Sequence, residues 1–275
     1  MGTYKLKEFN LFDKNFAHVQ AELGFDASCF EMPEHGVWSR DNMIWESDTV
    51  FTDNFCFLRE VDVVITKRKI AWLMESIGVN PGVFANFHQV QHKFDVIMSF
   101  LDPAIANQFG FDMNKYVQCP LGGAWVKPRF EDPKKNKVCS LIASQKRSLP
   151  GQQLRHTIAA SGKNIDLFGR GYQSVEDKSI ALDDYAFSVV IENVQTPGYF
   201  TEKIIDCMLR KTIPVYWGDP QIDKYFDKSG ILELSEIDNL SLQRYDSLVN
   251  IVNYNFEVAL SLKSTDDNIF KRLKE

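Results

Sequence analysis

Between residues 138 and 219 the chain alternates, at short intervals, between apolar runs and helix-patterned segments. "VCSLIAS" (138–144) reads as a buried strand, and "PGQQLRHTIAAS" reads as a helix with Pro150 and Gly151 at its start. "NIDLFGRG" is a strand ending in a glycine turn; "ALDDYAFSVVIEN" is a helical turn followed by a strand. "TEKIIDCMLRK" is a helix, and "TIPVYWGD" is a strand ending in a turn. Strands and helices that alternate with short connections argue for a parallel sheet with crossover helices, an α/β fold. In the helix, Ile204, Ile205, Met208 and Leu209 make the single apolar face that packing on a sheet requires. Arg210 and Lys211 are read into its last turn, where cations complement the negative end of the dipole.

The first half is less regular. "VDVVITKRKIAWLMES" gives strand-like runs at 61–65 and 70–74 about a basic turn, and "KFDVIMSFL" gives another at 95–101. Residues 127–137, "KPRFEDPKKNK", hold two prolines, a run of cations and one large apolar residue, Phe130. They mark a linker, with a first domain over 1–126, a second over 138–240 and a helical tail over 241–275. In the tail, Leu242, Tyr245, Val249, Val252, Phe256 and Ala259 recur at spacings of three and four, which predicts one amphipathic helix of several turns able to pack across both halves.

Length and charge narrow the function classes. The 275 residues are 44% apolar and 25% charged, which suits one large domain or two ordinary ones with a real core. A net charge of −6 gives no overall basic field for nucleic acid. No apolar stretch is long enough for a membrane span, and "MGTYKLKEFN" has neither a signal-peptide apolar region nor, with Leu6, a myristoylation pattern. The five cysteines (Cys29, Cys56, Cys119, Cys139, Cys207) are widely spaced and read as reduced thiols in a reducing compartment. Together these features point to the cytoplasm, with peripheral association with a membrane left open.

Ligands of open α/β sheets bind beyond the carboxyl ends of the strands. Three segments converge there: "VVIEN" brings Glu192 and Asn193, "DLFGRG" brings Gly169, Arg170 and Gly171, and "LIASQKR" brings Ser144, Lys146 and Arg147. The helix after Thr201 offers free N–H groups and a positive dipole end to the same edge, an anion site. Lys203 in its first turn works against that dipole, so a negative group belongs beside it, and a diphosphate satisfies both; Glu202 suits sugar or ribose hydroxyls. A plain N-cap at Thr201, an ordinary first-turn acid and a solvated lysine explain the same residues without a ligand.

The block "YAFSVVIENVQTPGYFTEKIIDCMLRKTIPVYWGDPQIDKYF" resembles the signature region of family 10 glycosyltransferases, the α1,3/4-fucosyltransferases. The pattern is an apolar strand ending in Glu-Asn, Tyr-x-Thr-Glu-Lys, a helix, then a Pro-centred strand reaching Gly. Weaker similarity runs through "KVCSLIAS", "LRHTIAA" and "IDLFGRG", and reaches "KIAWLMES". The resemblance implies a GT-B architecture: two Rossmann-like domains facing across a cleft, the second binding GDP-fucose, with C-terminal helices packing back. It implies that Arg155 and Lys203 hold the diphosphate, Tyr199 bonds near the β-phosphate or fucose, Glu202 takes the ribose hydroxyls, and Glu192, Asn193 and Thr201 complete the donor site. Glu75, ending "AWLMES", falls where the family has its proposed general base; an ordinary strand-end glutamate is the alternative.

The implied reaction is inverting transfer of L-fucose from GDP-β-L-fucose to a glycan hydroxyl, O3 of N-acetylglucosamine or glucose. The alternatives are a GT-B enzyme for another sugar nucleotide, or an inactive sugar-nucleotide- or glycan-binding protein. No D-x-D triplet is present, "DDY" (183–185) lacking that spacing, so no metal or other cofactor is expected. His88 and His92 stand at i, i+4, but "HQVQH" lacks the glutamate of H-E-x-x-H.

Overall fold

A computed structural model describes residues 7–12, 19–20, 25–26, 33–39 and 46–274. Cys29 and the first six residues lie outside them. The chain forms two compact units, one of residues 1–121 with 264–275 and the other of 122–263. Each unit is a Rossmann-like α/β layer built on a parallel sheet, as in GT-B folds.

The first unit holds β1 (Glu8–Phe12), β2 (Val19–Gln20), β3 (Phe25–Asp26), β4 (Val37–Ser39), β5 (Asp48–Thr52), β6 (Lys69–Leu73), β7 (Val96–Ser99) and β8 (Tyr116–Gln118). Six of these make a parallel sheet in the order β4-β1-β5-β6-β7-β8, while β2 and β3 pair with each other. Three short helices connect the strands: α1 (Glu60–Val63), α2 (Pro81–Asn86) and α3 (Pro103–Gln108). The run at 61–65 was expected as a strand and is α1 with its exit. β5 pairs directly with β1 and β6, so the run between β5 and β6 in the chain has no place beside either in the sheet. Val61 is buried, but Val63 and Ile65 are exposed.

The second unit holds β9 (Lys137–Ile142), β10 (Asp166–Phe168), β11 (Tyr185–Ile191), β12 (Ile213–Trp217) and β13 (Leu232–Glu233), parallel in the order β10-β9-β11-β12-β13. Its helices are α4 (Pro150–Ala159), α5 (Glu202–Leu209), α6 (Leu242–Ser247) and α7 (Val249–Leu262). β11 is buried along its whole length, and its two faces serve two cores. Val189 and Ile191 pack with Ile158 of α4, whereas Val190 packs with Ile204 and Ile205 of α5. α4 and α5 therefore lie on opposite faces of the sheet. α5 ends at Leu209, before the basic pair that the sequence placed in its last turn, and Arg210 is its C-cap. Lys211 takes a φ of +53° and closes the helix, its N–H on the Met208 carbonyl and that of Thr212 on Cys207.

The stretch 127–137 is held to the second unit. The Arg129 N–H bonds the Leu209 carbonyl, and the Lys135 ammonium bonds the carbonyls of Leu182 and Arg210 and the Thr212 hydroxyl. The tail is helical as expected, but the single helix read over 242–260 breaks at Leu248, and a third helix follows after Leu262. α7 buries Val252, Phe256 and Ala259 in the second unit. The last helix, α8 (Thr265–Lys274), belongs to the first. There Phe270 stacks on Phe9 at 4.7 Å, and Asp266 accepts from the Trp38 indole at 2.9 Å. Among the described residues, no helix is long and apolar enough to cross a membrane. Cys56, Cys119, Cys139 and Cys207 are free, buried thiols.

Candidate functional site

In the second unit β9 and β11 are neighbours, yet the chain leaves β9 toward α4 and β11 toward α5, on opposite faces. Their carboxyl ends part, and such a switch point is where open α/β sheets bind ligands. A cavity of about 520 Å³ occupies it.

α4 builds one wall. Its Gly151 N–H bonds the Asn193 carbonyl at 3.0 Å, and a Cβ there would lie 1.7 Å from the Glu192 carbonyl oxygen. Only glycine lets the helix come this close. One turn on, Arg155 is buried, and burial pushes its guanidinium below its ordinary range, with Glu192, Glu202 and Tyr199 opposing. The guanidinium donates to the Ile191 carbonyl through Nε at 3.0 Å and also through Nη2, which reaches Asn193 Oδ1 at 3.4 Å. Arg155 thus fixes the end of β11 while facing the cavity. Opposite, Gly169 has φ +101°, and its Cβ would meet the Ala143 carbonyl at 2.3 Å. The glycine turn of "FGRG" is therefore a requirement of the β9–β10 rim.

α5 builds the other wall. Thr201 is its N-cap, its Oγ accepting from the Lys203 N–H. Glu192 is fully buried beneath that cap. Its carboxylate accepts the Thr201 N–H at 2.9 Å and the Thr201 hydroxyl at 3.0 Å, and pairs with Lys203 Nζ at 3.1 Å. The negative partner that Lys203 needs at the helix N-terminus is thus supplied by the strand end itself. Glu202 lies 3.5 Å from Lys203 and 3.6 Å from Lys178. Burial raises its carboxyl, but these two cations outweigh burial and hold it down to about 2. Lys178 also pairs with Asp206 at 2.8 Å. Burial pushes Asp206 up to about 6 against that pairing, and its other oxygen accepts the Trp125 N–H at 2.6 Å.

Of the residues expected from sequence, Arg155, Gly169, Arg170, Asn193, Glu202 and Lys203 line the cavity. Glu192, Tyr199 and Thr201 are buried behind its wall. The sequence reading missed Lys178 and Asp206. Asp206 was accessible in principle, since four residues after Glu202 it shares that face of the helix. Lys178 sits in a 3-10 turn with no periodicity to mark it. Five cations line the cavity (Lys146, Arg155, Arg170, Lys178, Lys203) against the carboxylates of Glu202 and Asp206, with Glu192 behind. The surplus favours an anionic ligand.

Glu75 lies in the first unit, two residues past β6 at the carboxyl rim of its sheet, partly buried. The N–H groups of Met74 and Glu75 both donate to Asp53 Oδ1, at 3.1 and 3.3 Å. Asp53, at the end of β5, is buried and held at φ +40°, so it fixes the backbone that presents Glu75. His88 and His92 fall on two successive 3-10 turns and are exposed.

A family model described as "Glycosyltransferase family 10 (fucosyltransferase) C-term" matches residues 132–252. The α-(1,3)-fucosyltransferase FucT of Helicobacter pylori is 29% identical over 130 residues, 45% of this chain and 25% of that protein. The chain thus spans about a quarter of that relative. The crystal structure of an α1,3-fucosyltransferase with GDP is similar over 98% of this chain and 91% of its own, with a TM-score of 0.55 at 16% identity. A second, with GDP-fucose, is similar over 99% and 92%, with a TM-score of 0.51 at 17% identity. At these identities the likeness to solved structures concerns the fold.

Proposed function

We propose, from the match of residues 132–252 to the family 10 glycosyltransferase model, that the chain transfers L-fucose from GDP-β-L-fucose to a hydroxyl of a glycan, O3 of an N-acetylglucosamine or glucose unit, with inversion at the anomeric carbon. The observation that carries the reading is the cation-rich cavity at the β9/β11 switch point, where Arg155, Lys178 and Lys203 converge beside the N-terminus of α5. A diphosphate suits that charge, and the free N–H groups of the helix add to it. Glu202 accepts from the ribose hydroxyls, and Asn193 and Arg170 line the same pocket. Glu192 and Thr201 act from behind, by fixing Lys203 and the helix start.

In the proposed step the acceptor oxygen attacks the anomeric carbon and the bond from that carbon to the β-phosphate oxygen breaks. The electron pair stays on GDP, and the acceptor's proton passes to Glu75 as general base. The anomeric carbon gains oxocarbenium character. Charge grows on the diphosphate, where Lys203, Lys178 and Arg155 stabilise it; removing one such group costs about 2–4 kcal/mol of barrier. These cations supply the electrostatic role for which other sugar-nucleotide enzymes use a metal ion.

The test is GDP release from GDP-fucose, GDP-mannose and UDP-glucose, with and without N-acetyllactosamine and with EDTA. Release from GDP-fucose alone, raised by acceptor and indifferent to EDTA, supports the whole reading. Equal release from another donor overturns the donor assignment, and abolition by EDTA overturns the metal-free step. Glu75→Gln is expected to abolish turnover and keep GDP binding.

A further inference from the structure

A second cavity, of about 370 Å³, opens beyond the carboxyl ends of β12 and β13 in the same unit. Its wall contains Trp217, partly exposed at the end of β12, and the buried Asp219. Gln195, Asp223, Lys228 and Glu233 stand around it, all exposed. The turn that carries Asp219 is tightly fixed. The Asp219 N–H donates to the Tyr216 hydroxyl at 3.0 Å, and its Oδ1 accepts the Gln221 N–H at 2.8 Å. Gly218 leaves no freedom, since a Cβ there would lie 2.2 Å from that hydroxyl and 2.7 Å from Glu192 Cγ.

One atom is left over. Asp219 Oδ2 is buried and has no hydrogen-bond partner among the described residues. A carboxylate oxygen withdrawn from water without a donor is unfavourable, so the fold keeps it at a cost. Burial raises the carboxyl above its ordinary range, against the Gln221 N–H bonded to Oδ1 and the Gly198 N–H, which lies near the carboxyl without making a hydrogen bond to Oδ2. The surroundings narrow what can donate to it. Lys228 on the wall disfavours a metal cation, and Asp223 and Glu233 disfavour an anion. A neutral polyol meets both conditions. A partly exposed indole beside a carboxylate, ringed by amide, carboxylate and ammonium groups, matches a pyranose, which offers an apolar C–H face and several hydroxyls.

We propose that this pocket is a carbohydrate subsite holding one hexopyranose unit of a glycan, with Trp217 packing against the sugar and the Asp219 carboxylate accepting a sugar hydroxyl. The inference rests on the transferase reading for the presence of a glycan, while the pocket's chemistry stands without it. The subsite shares a segment with the donor cavity. Gln195 lies between Asn193, which lines that cavity, and Thr201, which caps α5.

The test follows the Trp217 indole N–H signal of the ¹⁵N-labelled full chain, assigned with Trp217→Phe. The methyl β-glycosides of N-acetylglucosamine, galactose and glucose are titrated across the millimolar range. At least one is expected to shift the signal saturably, and Asp219→Asn to weaken its Kd about tenfold, as for a lost hydrogen bond to a charged acceptor. Glu233→Gln, an exposed change at the rim that spares the fold, is expected to weaken it by a smaller factor. GDP affinity is expected to stay unchanged in both variants. Absence of a shift with all three glycosides overturns the subsite, as does wild-type affinity in both variants. A chain that shows the shift but transfers no fucose keeps the subsite and loses the transferase reading; one that transfers without the shift does the reverse.

Discussion

Gly151 is where the two walls of the cavity at the β9/β11 switch point are joined, so Gly151→Ala tests the architecture directly. The added Cβ would lie 1.7 Å from the Glu192 carbonyl oxygen, where contacts under 3.0 Å are essentially never seen. α4 must therefore retreat from the end of β11 by about 1.3 Å. Overpacking of this kind costs about 1–3 kcal/mol, and loss of the Gly151–Asn193 bond adds about 1 kcal/mol. A total near 3 kcal/mol lowers the melting temperature of the second unit by about 6–12 °C. The same retreat carries Arg155 away from Ile191 and Asn193, and a misplacement of about 1 Å near reacting groups costs about 100-fold in turnover. The assays are differential scanning fluorimetry, GDP calorimetry and donor turnover. Gly82→Ala in α2 is the control: nothing lies within 4 Å of its Cβ, so it is expected to stabilise by about 0.4–1 kcal/mol. A Gly151→Ala protein that melts within about 1 °C of wild type and keeps its turnover refutes the reasoning.

Glu192→Gln removes the counter-ion of Lys203 but keeps one acceptor for Thr201, so calorimetry is expected to show about tenfold weaker GDP binding, together with a lower melting temperature. Stability should depend on pH with opposite signs at two neighbouring carboxylates. Glu202 is held down to about 2, so its contribution is complete above about 4.5 and is lost as pH falls toward 2. Asp206 is raised from 3.8 to about 6, so the folded state gains stability as pH falls from about 6 toward 4. Melting temperature against pH is expected to lose its rise below 6 in Asp206→Asn and its fall below 4.5 in Glu202→Gln. In the first unit, Asp48 is fully buried between Lys7 at 2.6 Å and Arg68 at 2.7 Å, and Asp48→Asn is expected to cost about 2 kcal/mol in chemical denaturation. This figure is below that for a fully buried pair because both cations reach water.

Legibility along the chain followed how strictly packing constrains each segment. β9, α4, β11, α5 and β12 are buried on faces of fixed period, so apolar spacing alone located them within a residue or two. The run at 61–65 shows the limit: apolar content without burial says nothing of strand pairing, and two of its valines and isoleucines lie in water. The tail shows another, since spacings of three and four continue through a backbone break at Leu248. In the site, residues adjacent to strand ends were readable because topology brings strand ends together. What sequence withheld was depth. Glu192, Tyr199 and Thr201 stand beside cavity-lining neighbours in the chain, yet their side chains point behind the wall, and Lys178 comes from a turn with no pattern.

That depth matters for how the site handles charge. Lys203 is held by Glu192 and Glu202, and Lys178 by Glu202 and Asp206, so before a ligand arrives the two lysines share three carboxylates. Such sharing orients the ammonium groups, which otherwise cost side-chain entropy to fix. On the proposed function, an incoming diphosphate then competes with carboxylates for the same ammonium protons. Glu202 is the one carboxylate touching both lysines, so a ribose that engages it loosens its hold on both. Phosphate and ribose binding then reinforce each other through one side chain. The consequence separates this arrangement from independent contacts. Glu202→Ala should weaken GDP by less than a ribose contact is worth, because the freed lysines offset part of the loss, whereas its effect on inorganic diphosphate, which has no ribose, should be small or favourable. Equal weakening of both ligands in calorimetry would mean that Glu202 serves only to hold the lysines in place.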